Sequence, residues 1–96
     1  MVERTLTVTA RLGLHARAAA KLVRLASGFH SKVELRRVDS GVRADAKSIL
    51  SVLMLAASRG TELHASVEGA DEEAALTAID RLFNDGFGEG EPGLPG

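Results

Sequence analysis

The segment TLTVTARLGLHAR, residues 5–17, changes within a few positions from a strand pattern to the start of a helix. Apolar and polar side chains alternate strictly over residues 5–10, which predicts a half-buried strand. The apolar side chains of that strand are Leu6, Val8 and Ala10. Gly13 interrupts the alternation, and a helical pattern begins at Ala16. The tetrapeptide LHAR, residues 14–17, therefore lies at the junction of a strand and a helix.

His15 and Arg17 are the chemically distinctive residues of this junction. The first turn of a helix carries unpaired N–H groups and the positive end of the helix dipole, so it is a ready binding site for anions. An imidazole placed there can act as a nucleophile, and its phosphoryl group would then be held by the helix end. A cation in the first turn opposes the dipole, so Arg17 stands against the local preference and is a candidate functional residue. Its guanidinium can offer paired N–H donors to phosphate oxygens.

The rest of the chain alternates strand and helix patterns. A hairpin turn is predicted at residues 39–41, and Gly28 and Gly13 are predicted to end the elements before them. The predicted strands cover residues 5–10, 32–36, 42–44 and 62–68. The first predicted helix covers residues 16–27, and the second runs from Ser48 to Met54 or Ala56. The third begins at residues 71–73 and is predicted to bury Ala75, Ile79, Leu82 and Phe83.

The element order is therefore βαββαβα. A right-handed crossover makes the first two strands parallel, and the fourth strand can insert between them. The result is an α+β open-faced β-sandwich, with a four-stranded antiparallel sheet and three helices on one face. Residues 1–85 are predicted to form the domain, and residues 86–96, which are rich in Gly and Pro, to form a disordered tail.

Composition excludes several classes of site and partner. The 96 residues contain no cysteine, so disulfides and thiolate metal sites are excluded. No apolar run is long enough to span a bilayer and the N-terminus lacks a signal-peptide pattern, which predicts a cytoplasmic protein without membrane insertion. Residues 1–47 carry ten Lys and Arg against four Asp and Glu, whereas residues 48–96 carry two against nine. The basic half fits an acidic partner or a phosphoryl group, and the absence of Trp and Tyr disfavours nucleic acid.

Ser48 and the short helix after it allow two interpretations each. As an N-cap, Ser48 stabilises the helix by about 1 kcal/mol; as a phosphosite, it would place a dianion beside an apolar surface. The helix is apolar nearly all round, so it is either fully buried or exposes a patch for partner docking formed by Ile49, Leu50 and Leu53.

The other two histidines are interpreted as bystanders. His30 follows the first helix, and His64 lies on the polar side of its strand. The spacing between histidines does not match that of paired metal ligands, so no metal site is predicted.

Three segments together resemble one known family. They are GLHAR at 13–17, AKSIL at 46–50 and LFN at 82–84. Their order and spacing resemble those of HPr, the histidine phosphocarrier of the bacterial phosphoenolpyruvate-dependent phosphotransferase system. Some features are similar to the nitrogen-related branch of that family, whereas Lys47-Ser48 is more similar to sugar-type HPr. Ala18 stands where most members have proline.

The resemblance implies a stoichiometric phosphocarrier rather than an enzyme, with no cofactor. His15 would carry phosphate on Nδ1, with Arg17 and the backbone N–H groups of Ala16 and Arg17 on the phosphate. The implied partners are enzyme I, an enzyme IIA and, for Ser48, an HPr kinase/phosphorylase. The protein would act as a monomer.

Two other classes of function compete with this interpretation. A non-catalytic ligand-binding module of the same outline would treat residues 14–17 as an incidental helix start and would not be phosphorylated. A free-standing enzyme is disfavoured because no acid–base pair or nucleophile triad accompanies His15.

Overall fold

The computed structural model describes residues 1–88 of the chain. In this part, strands and helices follow the predicted βαββαβα order. The elements are β1 (Val2–Thr7), α1 (Ala16–Ser27), β2 (Lys32–Arg37), β3 (Arg43–Asp45), α2 (Ile49–Met54), β4 (Glu62–Glu68) and α3 (Glu72–Asn84), followed by a 3₁₀ turn at Gly86–Gly88. No helix within residues 1–88 is long and apolar enough to cross a membrane.

The four strands form one antiparallel sheet in the order β1-β4-β2-β3. The insertion of β4 between β1 and β2 confirms the predicted topology and the α+β open-faced sandwich. Each strand turns alternate side chains toward the helices, and those side chains form the core together with the buried faces of α1 and α3. α1 packs against α2 and α3.

The first strand begins and ends earlier than the predicted residues 5–10. Its ladder with β4 covers Val2–Thr7, and Val8 then forms backbone hydrogen bonds with the turn that precedes β4. The Val8 N–H donates to the Thr61 carbonyl at 2.9 Å, and the Gly60 N–H donates to the Val8 carbonyl at 2.8 Å. Val8 and Ala10 are buried as predicted. Every second side chain therefore continues to point into the core beyond Thr7, the last residue of the regular ladder.

The predicted start of the tail at residue 86 is wrong for the first three residues. Gly86–Gly88 fold back on the domain, and Phe87 is fully buried with its ring centroid 4.8 Å from that of Phe83. The Lys21 ammonium donates to the Phe87 carbonyl at 2.7 Å. Burial of an aromatic ring outweighs the loop-forming tendency of its two glycine neighbours. The rest of the predicted tail, residues 89–96, lies outside the described residues.

A carboxylate joins the start of α3 to the segment between α1 and β2. Asp71 accepts hydrogen bonds from the backbone N–H groups of His30 and Ser31, each at 2.9 Å, and from the Ser31 hydroxyl. Ser31 is completely buried, so this bond satisfies a polar group within the core. The hydrogen bond from Ser31 is the main reason that the pKa of Asp71 is lowered.

Candidate functional site

His15 is the N-cap of α1. Its backbone is extended, with φ −70° and ψ 177°, and its carbonyl accepts the first helical hydrogen bond from the Ala19 N–H at 2.8 Å. The imidazole turns back over the helix end, where Nδ1 accepts the Arg17 N–H at 3.2 Å. An accepting Nδ1 carries no proton, so the proton of the neutral ring is on Nε2 and the Nδ1 lone pair faces the N-terminus of α1. The ring is half-buried, and it remains partly open to solvent.

The loop before His15 is fixed by the segment that follows α2. The Leu14 N–H donates to the Ala57 carbonyl at 2.8 Å, and the Leu14 side chain is buried. Gly13 has a φ of +72°, and a Cβ atom there would lie 2.5 Å from the Ala57 oxygen and 2.8 Å from the Ser58 Cα. Only glycine fits this combination of backbone angle and contact. Gly13 therefore sets the loop that presents His15.

Arg17 lies in the first turn of α1 and is exposed. The first turn of α1 contains no acidic residue, although the dipole would favour one there. The backbone N–H groups at the start of the helix and the guanidinium of Arg17 are thus on the same end of α1 as the His15 imidazole. This arrangement can hold a phosphoryl group attached to His15.

Ser48 is the N-cap of α2. Its hydroxyl accepts the Ser51 N–H at 3.3 Å, and its own N–H donates to the Asp45 carbonyl at 3.0 Å. The Asp45 carboxylate accepts the Lys47 N–H at 2.9 Å, which tightens the turn between β3 and α2. The capping interpretation of Ser48 is therefore confirmed. The Ser48 side chain is half-exposed.

The apolar helix α2 exposes one face, so the fully buried alternative is wrong. Val52 faces the core, whereas the exposed fractions are 44% for Ile49, 69% for Leu50 and 37% for Leu53. Met54, the last residue of α2, was not among the predicted docking residues, and it is 72% exposed. We call these four exposed residues of α2 the apolar patch. A small domain buries only one side of such a helix.

The remaining histidines lie away from the start of α1. His30 is exposed after the end of α1, and His64 lies on the open face of the sheet. There, His64 Nε2 lies 2.7 Å from a carboxylate oxygen of Glu3, and this hydrogen bond is the main reason that the pKa of Glu3 is lowered. Residues 1–88 contain no cluster of three or more His, Asp or Glu side chains that could hold a metal ion.

Comparison with known proteins places this chain in a family. The family described as "PTS HPr component phosphorylation site" matches residues 2–85. The chain is 51% identical over 89 residues to phosphocarrier protein HPr of Treponema pallidum, covering 93% of this chain and 99% of that protein. It is 43% identical over 88 residues to phosphocarrier protein NPr of Escherichia coli K12, covering 92% and 97%.

Solved structures agree with the sequence relatives. The crystal structure of HPr-C-His from Thermoanaerobacter tengcongensis matches with a TM-score of 0.87 and 37% identity, covering 95% of this chain and all of that one. The fold and these relatives together define a small phosphoryl carrier. The chain belongs to the HPr family, the phosphocarrier proteins of the phosphotransferase system.

Proposed function

We propose that His15 accepts a phosphoryl group from phosphorylated enzyme I on Nδ1 and passes it to a histidine of an enzyme IIA. The observation that carries this proposal is the 3.2 Å hydrogen bond from the Arg17 N–H to Nδ1. It supports an unprotonated Nδ1 that faces the positive end of α1.

The transfer needs little chemistry from the chain itself. The Nδ1 lone pair attacks phosphorus, an N–P bond forms, and the bond between phosphorus and the donor group breaks. The Arg17 N–H that Nδ1 accepted is then available to a phosphoryl oxygen, together with the Ala16 N–H and the guanidinium of Arg17. Positioning and charge stabilisation suffice for such a step. On this proposal the protein is a carrier consumed and regenerated in each cycle, rather than an enzyme.

The apolar patch is the proposed docking surface for both partners. Ile49, Leu50 and Leu53 expose hydrocarbon on a helix that packs against α1, the helix that His15 caps. Desolvation of such side chains supplies binding energy at the centre of an interface. The protein would act as a cytoplasmic monomer that binds enzyme I and enzyme IIA in turn.

Ser48 is proposed to combine its capping role with regulation. Ser48 is half-buried and immediately precedes the exposed residues Ile49 and Leu50. A phosphate added there by an HPr kinase/phosphorylase would place a dianion next to the apolar patch, which would weaken docking through desolvation and repulsion.

Phosphorylation with purified partners tests the main proposal. Wild type, His15→Ala and the control His64→Ala are incubated with phosphoenolpyruvate and either sugar-type or nitrogen-type enzyme I, and intact masses are measured. Wild type and His64→Ala should gain one acid-labile, base-stable phosphoryl group, whereas His15→Ala should gain none. The enzyme I that reacts faster identifies the branch. A label that persists in His15→Ala would refute the assignment, and no label with either enzyme I would favour the ligand-binding alternative.

A further inference from the structure

The guanidinium of Arg37 links the sheet to the end of α2. Its Nη1 donates to the carbonyls of Leu55 at 2.9 Å and Ala56 at 3.2 Å. Its Nε and Nη2 donate to the two carboxylate oxygens of Asp39, at 2.9 and 2.8 Å. This two-point pairing fixes the plane of the guanidinium, so the remaining donor is aimed at the two carbonyls.

The two carbonyls belong to a turn that needs such a donor. Leu55 is the C-cap of α2, where carbonyls have no donor within the helix. Ala56 has a φ of +50°, a left-handed conformation that costs about 1–2 kcal/mol for a residue other than glycine. A cation at a helix C-terminus also interacts favourably with the dipole. Arg37 therefore stabilises the conformation in which the chain leaves α2.

The same turn supports the loop of His15. Ala57 follows Ala56 directly, and its carbonyl accepts the Leu14 N–H at 2.8 Å. Leu14 precedes His15, and Gly13 packs against Ala57 so closely that no Cβ fits between them. A short series of contacts thus runs from Arg37 through the turn after α2 to the loop before His15.

We infer that Arg37 is a positioning residue for phosphoryl transfer, because it fixes the Ala56–Ala57 turn that orients the His15 loop. The inference rests on the proposed function of His15. It requires that loss of the guanidinium leaves the sheet and α1 in place while Leu14 and His15 become less well fixed. A small misplacement of a reacting group is enough to slow a transfer step.

Arg36 provides a matched control. It is the neighbouring arginine of the same strand, and alternation places it on the open face of the sheet, in register with His64 of β4 and Arg43 of β3. Arg36→Met removes the same charge from the same strand without touching the end of α2. Arg37→Met keeps most of the aliphatic stem and removes all the donors.

Two measurements on the full chain test the inference. In Arg37→Met, the Leu14 amide should exchange with solvent about tenfold faster than in wild type, while the Ala19 amide should stay protected. The kcat for transfer from phosphorylated enzyme I should fall about three- to tenfold, with a smaller change in KM. Arg37→Lys should recover part of the kcat, since an ammonium can bind one carbonyl but cannot pair with Asp39 at two points.

Each outcome decides the inference. The inference is overturned if Arg37→Met keeps the wild-type kcat and the wild-type exchange rate of the Leu14 amide. It is also overturned if Arg36→Met changes both quantities as much as Arg37→Met does. If Arg37→Met is unfolded at the assay temperature, Arg37→Lys is judged by the same two criteria. The exchange measurement does not depend on phosphorylation, so failure of the proposed function, seen as a label on His15→Ala, is distinguished from failure of the Arg37 inference.

Discussion

Replacement of Gly13 by alanine tests how strongly the His15 loop depends on its contact with Ala57. The backbone angle at Gly13, φ +72°, costs alanine about 1–2 kcal/mol, part of which is offset because alanine restricts the unfolded chain. The new Cβ would also lie 2.5 Å from the Ala57 oxygen and 2.8 Å from the Ser58 Cα, which are backbone atoms. Overpacking of this kind adds about 1–3 kcal/mol. We therefore expect Gly13→Ala to destabilise the protein by about 2–4 kcal/mol in urea unfolding.

Gly41→Ala separates the two contributions. Gly41 has a similar φ of +80°, but a Cβ there meets no atom within 4 Å. Its replacement should cost about 1 kcal/mol and leave phosphorylation by enzyme I unchanged. Gly13→Ala should in addition slow phosphorylation at temperatures where it is folded, because the loop must move away from Ala57. Equal losses of stability in the two variants, or a normal phosphorylation rate in Gly13→Ala, would refute the reasoning.

Four further predictions concern separate parts of the molecule. Arg17→Ala should slow phosphorylation roughly tenfold or more, because a charge-assisted contact to phosphate is worth about 1.5–3 kcal/mol, and Arg17→Lys should recover part of the rate. Equal rates for the three proteins in stopped-flow or quench assays would show that Arg17 is only a solvated helix residue. Ser48→Asp should keep the melting temperature while the KM for enzyme I rises several-fold, whereas a flat KM with lost stability would place the docking surface elsewhere. Phe87→Ala should lower the free energy of unfolding by about 3–5 kcal/mol, and a loss under 1 kcal/mol would contradict its burial. Because the pKa of Asp71 is lowered in the folded protein, its contribution to stability is present above the unfolded pKa of 3.8 and is lost as the pH falls through the folded pKa. The free energy of unfolding, measured between about pH 5 and 2, should therefore depend less on pH in Asp71→Asn than in wild type.

The fold was predictable because its signals are local. The alternation in the strands, the helical stripe after His15 and the hairpin glycine at 41 each act within a few residues. The right-handed crossover leaves a place for β4 between the parallel strands β1 and β2, and β4 occupies that place. The exposed face of α2 could not be predicted in this way, since the sequence of a helix that is apolar all round does not indicate which side is buried.

Contacts between distant segments account for what the sequence analysis missed. Gly13 was recognised as a strand breaker, but its need for a missing Cβ arises from Ala57, which is far away in the sequence. Arg37 lies just beyond the predicted second strand, and its hydrogen bonds to Leu55 and Ala56 depend on how the end of α2 is placed. Phe87 was assigned to the tail because of the glycines around it, but its carbonyl accepts a hydrogen bond from the ammonium of Lys21, which lies 66 residues earlier in the sequence.

The proposed phosphoryl transfer depends on one atom, Nδ1 of His15. Protein labelled with ¹⁵N at histidine is phosphorylated by enzyme I and phosphoenolpyruvate, and the ³¹P–¹⁵N coupling is measured by NMR before the label decays. We expect a coupling to Nδ1 of His15 alone, because that nitrogen faces the Arg17 N–H and the start of α1. A coupling to Nε2 of His15, or phosphorus on His30, His64 or a hydroxyl group, would contradict it.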